Sequence, residues 1–297
     1  MSVRKIASIA VFGVLLVSIS ACSTPGANSA LCDATGNADL VTAAGEFGAN
    51  PDVTFPTPLV SPDLGVTESI TGDGKPVRAG GVVGGTLFIY DAETGDPIVA
   101  ADQAVLLPTE NYAFPFTKVL QCGSVGSRVI ATGTADELFG DRASQFQIEP
   151  EQSLVLVADI LHAFLGRADG ADQVARAGMP AIVTAPSGQP GFTFPDSAAP
   201  TELTVDLLKK GSGSTTSAGD QVIVNFSSIN WKGEQLKDTT WETAPAAVVL
   251  DENAQGASLP PEVITSLVGQ TVGSQLLIAV PGDQTVVYVI DVLGIAE

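Results

Sequence analysis

The chain has one histidine, His162, and three cysteines, Cys22, Cys32 and Cys122, in 297 residues. A Ser-His-Asp relay or a histidine-ligated metal would have to run through that one imidazole. It directly follows the apolar stretch ending at Leu161, a place that reads as a surface or interface position. Histidine-based chemistry therefore has little room in this chain. The chemistry the chain does suggest lies in its cysteines, its scattered aromatics and a few carboxylates.

Cys22 ends a segment with its own signature. Arg4 and Lys5 precede an apolar run from Ile6 to Ser20, closed by Ile19-Ser20-Ala21-Cys22. A short basic head, an apolar stretch and small residues before a cut mark a secretory signal. The run is short for a membrane span of about 20 residues. The cysteine placed there resembles a bacterial lipobox, in which the Cys22 thiol is diacylated and becomes the mature N-terminus. An ordinary signal peptide with a chance cysteine, or a membrane helix, is the alternative. The expected location is outside the cytoplasmic membrane, lipid-anchored on the outer face of a bacterial cell. In an oxidising compartment Cys32 and Cys122 are expected to pair, with two buried free thiols as the alternative. The net charge of −20 excludes nucleic acid as a partner, because phosphate binding needs a basic footprint.

These residues sit in a chain that repeats itself. Val53-Thr54-Phe55-Pro56 recurs as Phe192-Thr193-Phe194-Pro195, Gly72-Asp73-Gly74 as Gly211-Ser212-Gly213, and Ala79-Gly80 as Ala218-Gly219, all 139 residues on. Val125-Gly126-Ser127 recurs as Val272-Gly273-Ser274 at 147, and the stretch 154–161 recurs at 286–293, at 132. A constant order with stepped offsets means one duplicated unit whose loops changed length. The second copy gained 8 residues before the Val-Gly-Ser turn and lost 15 after it. Val222, Val224 and Phe226 alternate with Gln221, Ile223 and Asn225, a period of two that predicts a strand with one buried face. The last strand, 286–293, is apolar on both sides, as a central strand is. Pro260 to Leu267 predicts one short helix stopped by Gly269, matched by Pro115 to Leu120 with Gly123 as its stop. The implied unit is α+β: a curved antiparallel sheet wrapped on one short helix.

The arrangement resembles FKBP-type peptidyl-prolyl isomerase domains, particularly tandem FKBP-like lipoproteins of bacteria. Lys210-Gly211-Ser212-Gly213 followed by Ala218-Gly219-Asp220 is similar to the family's Gly-x-Gly and Gly-Asp entry. Phe226 falls at the position of a pocket tyrosine, and Lys237-Asp238-Thr239-Thr240-Trp241 resembles the Phe-Asp-Ser-Ser stretch, with Asp238 as the pocket acid. Leu267 to Ser274 is similar to the family's helix end and following turn. The resemblance implies a signal peptide at 1–21, a flexible tether at 22–31, an FKBP-like domain at 32–166, a linker at 167–177 and a second FKBP-like domain at 178–297.

It also implies an activity that needs no nucleophile, metal or cofactor. Rotation about an X-Pro bond faces a barrier of roughly 18–20 kcal/mol, because the planar amide is conjugated. The twisted state is less polar, so a dry apolar pocket favours it over the ground state, with a few polar groups to position it.

The two copies depart from the family pattern in complementary ways. In the second, Val263 stands where a floor aromatic belongs and only Pro281 to Thr285 remain of the flap, while Phe226, Asp238 and Trp241 are kept. In the first, Phe116 falls at the floor, with Tyr112 just before it. The flap remains as 135–152, with Phe139-Gly140 as its aromatic-glycine pair. Leu87 replaces the strand aromatic, Tyr90 lies nearby, and Asp102 is the nearest acid, about two residues late. The resemblance thus implies a prolyl isomerase acting on exported, proline-containing polypeptides. Its pocket is in the first domain, with Phe116, Phe139 and Tyr90 as the catalytic surround and Leu87, Tyr112 and Asp102 as walls. The alternative is a catalytically degenerate binding or chaperone lipoprotein that holds extended or proline-containing segments.

Overall fold

A computed structural model of the chain describes residues 29–33, 35–110, 114–252 and 258–296. Cys22 and Tyr112 lie outside the described residues. Among the described residues the first half has seven strands: β1 (Thr42–Ala44), β2 (Asp52–Thr54), β3 (Gly65–Ile70), β4 (Val82–Asp91), β5 (Pro97–Pro108), β6 (Arg128–Thr134) and β7 (Ser153–Phe164). The second has nine: β8 (Ala171–Asp172), β9 (Ala181–Thr184), β10 (Pro190–Thr193), β11 (Thr204–Lys210), β12 (Gln221–Asn230), β13 (Leu236–Thr239), β14 (Ala246–Val249), β15 (Gln275–Val280) and β16 (Val286–Ala296). The helices are α1 (Ser29–Cys32), α2 (Ala135–Phe139) and α3 (Pro261–Ser266), with 3-10 turns at Asn37–Leu40, Pro115–Cys122 and Gly140–Phe146.

The sheets repeat the sequence offsets. The first runs β3-β6-β7-β4-β5, and the second β11-β15-β16-β12-β13, with β8 added beyond β11 and β14 also paired to β12. All pairings within the two sheets are antiparallel. Phe88 faces Val157 in the first copy, and Ser227 faces Val289 at the same place in the second. The repeated Gly-x-Gly has a steric cause. A Cβ on Gly72 would strike the carbonyl oxygen of Val125, and one on Gly211 that of Val272. Both glycine N–H groups donate to the turn serine of their own copy, Ser127 and Ser274, at 3.0 Å.

Each sheet packs its helical segment on one face. Val119, Leu120, Phe116 and Leu87 share the first core; Val263, Leu267, Phe226 and Val224 share the second. The other face is also covered. Hairpin β1–β2 lies with Phe88, Ile130 and Val157, and hairpin β9–β10 brings Ile182 and Phe192 onto Leu277 and Val289. The expected single buried face is therefore corrected. On β12, Ile223 and Asn225 are buried as well as Val222 and Val224, because the other half and the crossing segment cover them. The central place of the last strand holds, since β16 lies between β12 and β15.

The described end of the expected tether, 29–31, and the expected linker are both structured. Residues 29–31 belong to α1, and Leu31 packs on the first core. The Cys32–Cys122 disulfide ties this turn to the segment Pro115–Cys122. The stretch 167–177 contributes β8, paired with β11, and the buried Ala168. Just before it, Leu165 N–H donates to Leu293 O at 3.1 Å. Its backbone polar groups thus find partners on the second sheet, which a free linker would leave to water.

Candidate functional site

In the first half, Phe116 lies on the turn that Pro115 starts and Gly123 ends. After β6 the chain forms α2, fixed by a capping box: Thr134 Oγ1 accepts from Glu137 N–H, and the Glu137 carboxylate accepts from Thr134 N–H. Asp136 and Glu137 therefore serve the helix start. α2 carries Phe139 back onto Phe116, with ring centroids 5.5 Å apart. Phe114 stands 5.7 Å from Phe116, and Phe146 stands 5.3 Å from Phe139. The Arg142 guanidinium lies 5.4 Å from the centroid of Phe114. Phe116 is 4 % exposed and Phe139 2 %. The expected floor and lid do meet, and the lid fills the space above the floor.

The remaining first-half residues divide. Leu87 faces this core. Tyr90 does not: it packs on the opposite face, under the β1–β2 hairpin, and burial and then Asp52 push its phenol up. Side chains alternate along β4, so Ile89, two residues from Leu87, shares the core face and Tyr90, three residues away, takes the other. The acid is also displaced. Ile89 pairs with Val99 as Ser228 pairs with Asp238, so Val99 holds the register position of Asp238. Asp102 is three residues further along β5, not two.

In the second half, Phe226 and Val263 are both in the core, Val263 with no exposed surface. Asp238 is exposed on β13 and accepts from Thr239 N–H at 2.8 Å. Its partner across β12, Ser228, pairs on the other side with Tyr288 of β16. Burial, and then the carboxylates of Asp238 and Glu262, push the Tyr288 phenol up. Tyr288 thus joins Asp238 and Glu262 in one electrostatic group, and sequence reasoning missed it. The signal was a tyrosine standing where the first copy of the repeated strand has Leu156.

Trp241 stands apart from that core. Its ring lies where a Cβ on Gly188 would be, and its indole N–H is buried without a partner. It lines a cleft of about 610 Å³ between the halves, with Phe139, Arg142 and Asn225. This cleft shares Gly80, Val82, Glu110 and Gly166 with a larger one of about 870 Å³, lined by Lys75, Arg78, His162, Phe164 and Arg167. His162 stacks on Phe164 at 5.6 Å, the interface position expected of it. Asp169 and Glu110 are also on the wall.

No family model matches the chain, and no curated protein matches it. Solved structures it is similar to are FKBP-type proteins. The three FKBP domains of wheat FKBP73 match at 13 % identity over 78 % of this chain and 95 % of that one, with a TM-score of 0.32. A peptidyl-prolyl cis-trans isomerase from Pseudomonas syringae pv. tomato matches at 19 % identity over 34 % of this chain and 74 % of that one, TM-score 0.31. FkpA from Escherichia coli matches at 16 % over 40 % and 52 %, TM-score 0.27. A likeness this distant assigns no activity to the chain.

Proposed function

We propose that this chain is an exported, lipid-anchored protein of two FKBP-like domains that binds extended or proline-containing polypeptide segments without isomerising them. The observation that carries the reading is the closed floor of both halves. Phe139 seals Phe116 in the first, and Val263 has no exposed surface in the second. A prolyl ring needs that floor free, because the twisted amide is favoured only inside a dry apolar pocket. The open space lies instead at the junction, where two connected clefts offer apolar wall and cations. Two clefts that share walls along the junction suit a stretch of polypeptide.

The test has two arms. A protease-coupled proline-peptide assay is expected to give no rate above background, while the protein suppresses aggregation of an unfolded client and Trp241→Ala weakens that suppression. A clear isomerase rate that Phe116→Ala abolishes would return the function to catalysis in the first half. The anchor is checked by Cys22→Ser, which is expected to move the protein from the membrane to the soluble fraction.

A further inference from the structure

Both copies of the last strand bury an aspartate, and each holds a different stretch of chain. In the first half, Asp159 pairs with Arg128, with Nε–Oδ1 at 2.6 Å and Nη2–Oδ2 at 2.7 Å. Arg128 also donates to the carbonyls of Ala43 and Glu46, and Gly48 N–H donates to Asp159 Oδ2 at 2.6 Å. The ion pair thereby clasps the loop between β1 and β2. At the same place in the second half, Gln275 stands for Arg128. Gln275 Nε2 donates to Asp291 Oδ1 at 2.7 Å, and Ala168 N–H donates to Asp291 Oδ2 at 2.7 Å. Asn225, the cross-strand partner of Asp291, donates to Gly166 O at 3.1 Å. Asp291 and Asn225, on adjacent strands, therefore grip residues 166–168, where the chain crosses between the halves, and Gln275 on the next strand braces Asp291.

Asp291 is 2 % exposed and forms no ion pair among the described residues. The groups facing it from β15 and β12, Gln275 and Asn225, are neutral. Its nearest cations are Lys209 on β11 and Arg167 on the crossing segment. Lys209 is itself held by Asp172 at 3.3 Å, and Asp169 follows Ala168 in the chain. Burial pushes Asp291 up to about 6, against the opposing pull of its hydrogen bonds from Ala168 and Gln275 and of those two cations.

We propose that Asp291 makes the joint between the halves a proton-sensitive clasp, tight when the carboxyl is protonated and weakened when it ionises. The direction follows from linkage. With the clasp open, water returns the carboxyl to its ordinary value of 3.8. The closed form then binds the proton more tightly, so acid favours closure. The preference is complete below about pH 4 and is lost as pH rises through about 6, a change on the order of 100-fold in the closing equilibrium. Gln275 suits this role, because a rotated amide can accept from a protonated carboxyl while the other oxygen keeps Ala168 N–H. Arg128 has no acceptor to offer, so the first half lacks the device.

Amide exchange supplies both the probe and its control. After correction for intrinsic rates, protection of Ala168 N–H is expected to fall on the order of 100-fold between pH 4 and pH 7.5. Protection of Gly48 N–H, on the ion-paired Asp159, is expected to stay level. Asp291→Asn should hold Ala168 protected at every pH, and Gln275→Arg should remove the pH dependence by supplying the missing cation. A level response at Ala168 in the unmodified chain, or the same pH response at Ala168 and Gly48, would overturn the proposal. Should Gln275→Arg fail to fold, the isosteric Asp291→Asn still decides, since an unchanged pH response in it also overturns the clasp.

Discussion

Replacing Phe139 with alanine removes the ring that closes the first half's floor. Phe139 is 2 % exposed and touches Phe114, Phe116 and Phe146 at centroid distances of 6.2, 5.5 and 5.3 Å. A buried Phe→Ala change costs about 3–5 kcal/mol, and each aromatic pair is worth about 0.5–1.5 kcal/mol beyond burial. The capping box at Thr134 and Glu137 stays, so α2 is expected to persist and the loss to be one of packing. The lower half of the range is expected, about 3–4 kcal/mol, because Phe146 is partly exposed and free to shift into part of the space. Urea unfolding followed by far-UV circular dichroism measures it. Tryptophan fluorescence adds a regional probe, since Trp231 and Trp241, the chain's two tryptophans, both lie in the second half. The dichroism transition should move to lower urea more than the fluorescence transition does. A loss below about 1 kcal/mol, with the two probes moving together, would show that Phe139 does not fill that space, and the closed-floor reasoning would fail with it.

Other perturbations separate packing from binding. Arg128→Gln leaves Asp159 buried without its cation and frees the carbonyls of Ala43 and Glu46, so thermal or chemical denaturation should show a loss of about 3–5 kcal/mol. Opening the Cys32–Cys122 bridge by Cys122→Ser releases a loop with a sequence separation of 90 residues, with an expected loss of about 4–5 kcal/mol in the chain-entropy picture. Asp238→Asn changes an exposed side chain and should alter stability by less than about 0.5 kcal/mol. It should also lower the spectroscopic titration midpoint of Tyr288, whose phenol that carboxylate pushes up.

Much of the fold was legible because it is written twice. Glycines that cannot carry a Cβ, at Gly72 and Gly211, recur because the Val125 and Val272 carbonyls lie against them. The apolar last strand announced its central place. The meeting of Phe116 and Phe139 was legible as well. That they close the floor was not, because side-chain depth depends on which atoms fold over a site. Tyr90 was misplaced against the strand's own period: it is three residues from Leu87, and a spacing of three puts it on the opposite face.

The sequence by itself determined the repeat, its loop gains and losses and the helix stops, and it left Cys32 and Cys122 either paired or free until the structure joined them. The repeat, the loop changes and the helix stops are local properties, carried by residue type and spacing. Tertiary structure alone decided what covers each face: the hairpins over both sheets, Trp241 in the inter-half cleft, and the crossing segment held on Asp291. Asp159 and Asp291 are adjacent to nothing in sequence that explains their burial. Their partners, Gly48 and Ala168, lie 111 and 123 residues away. Contacts that distant arise from the way the whole chain packs, and no spacing along it records them.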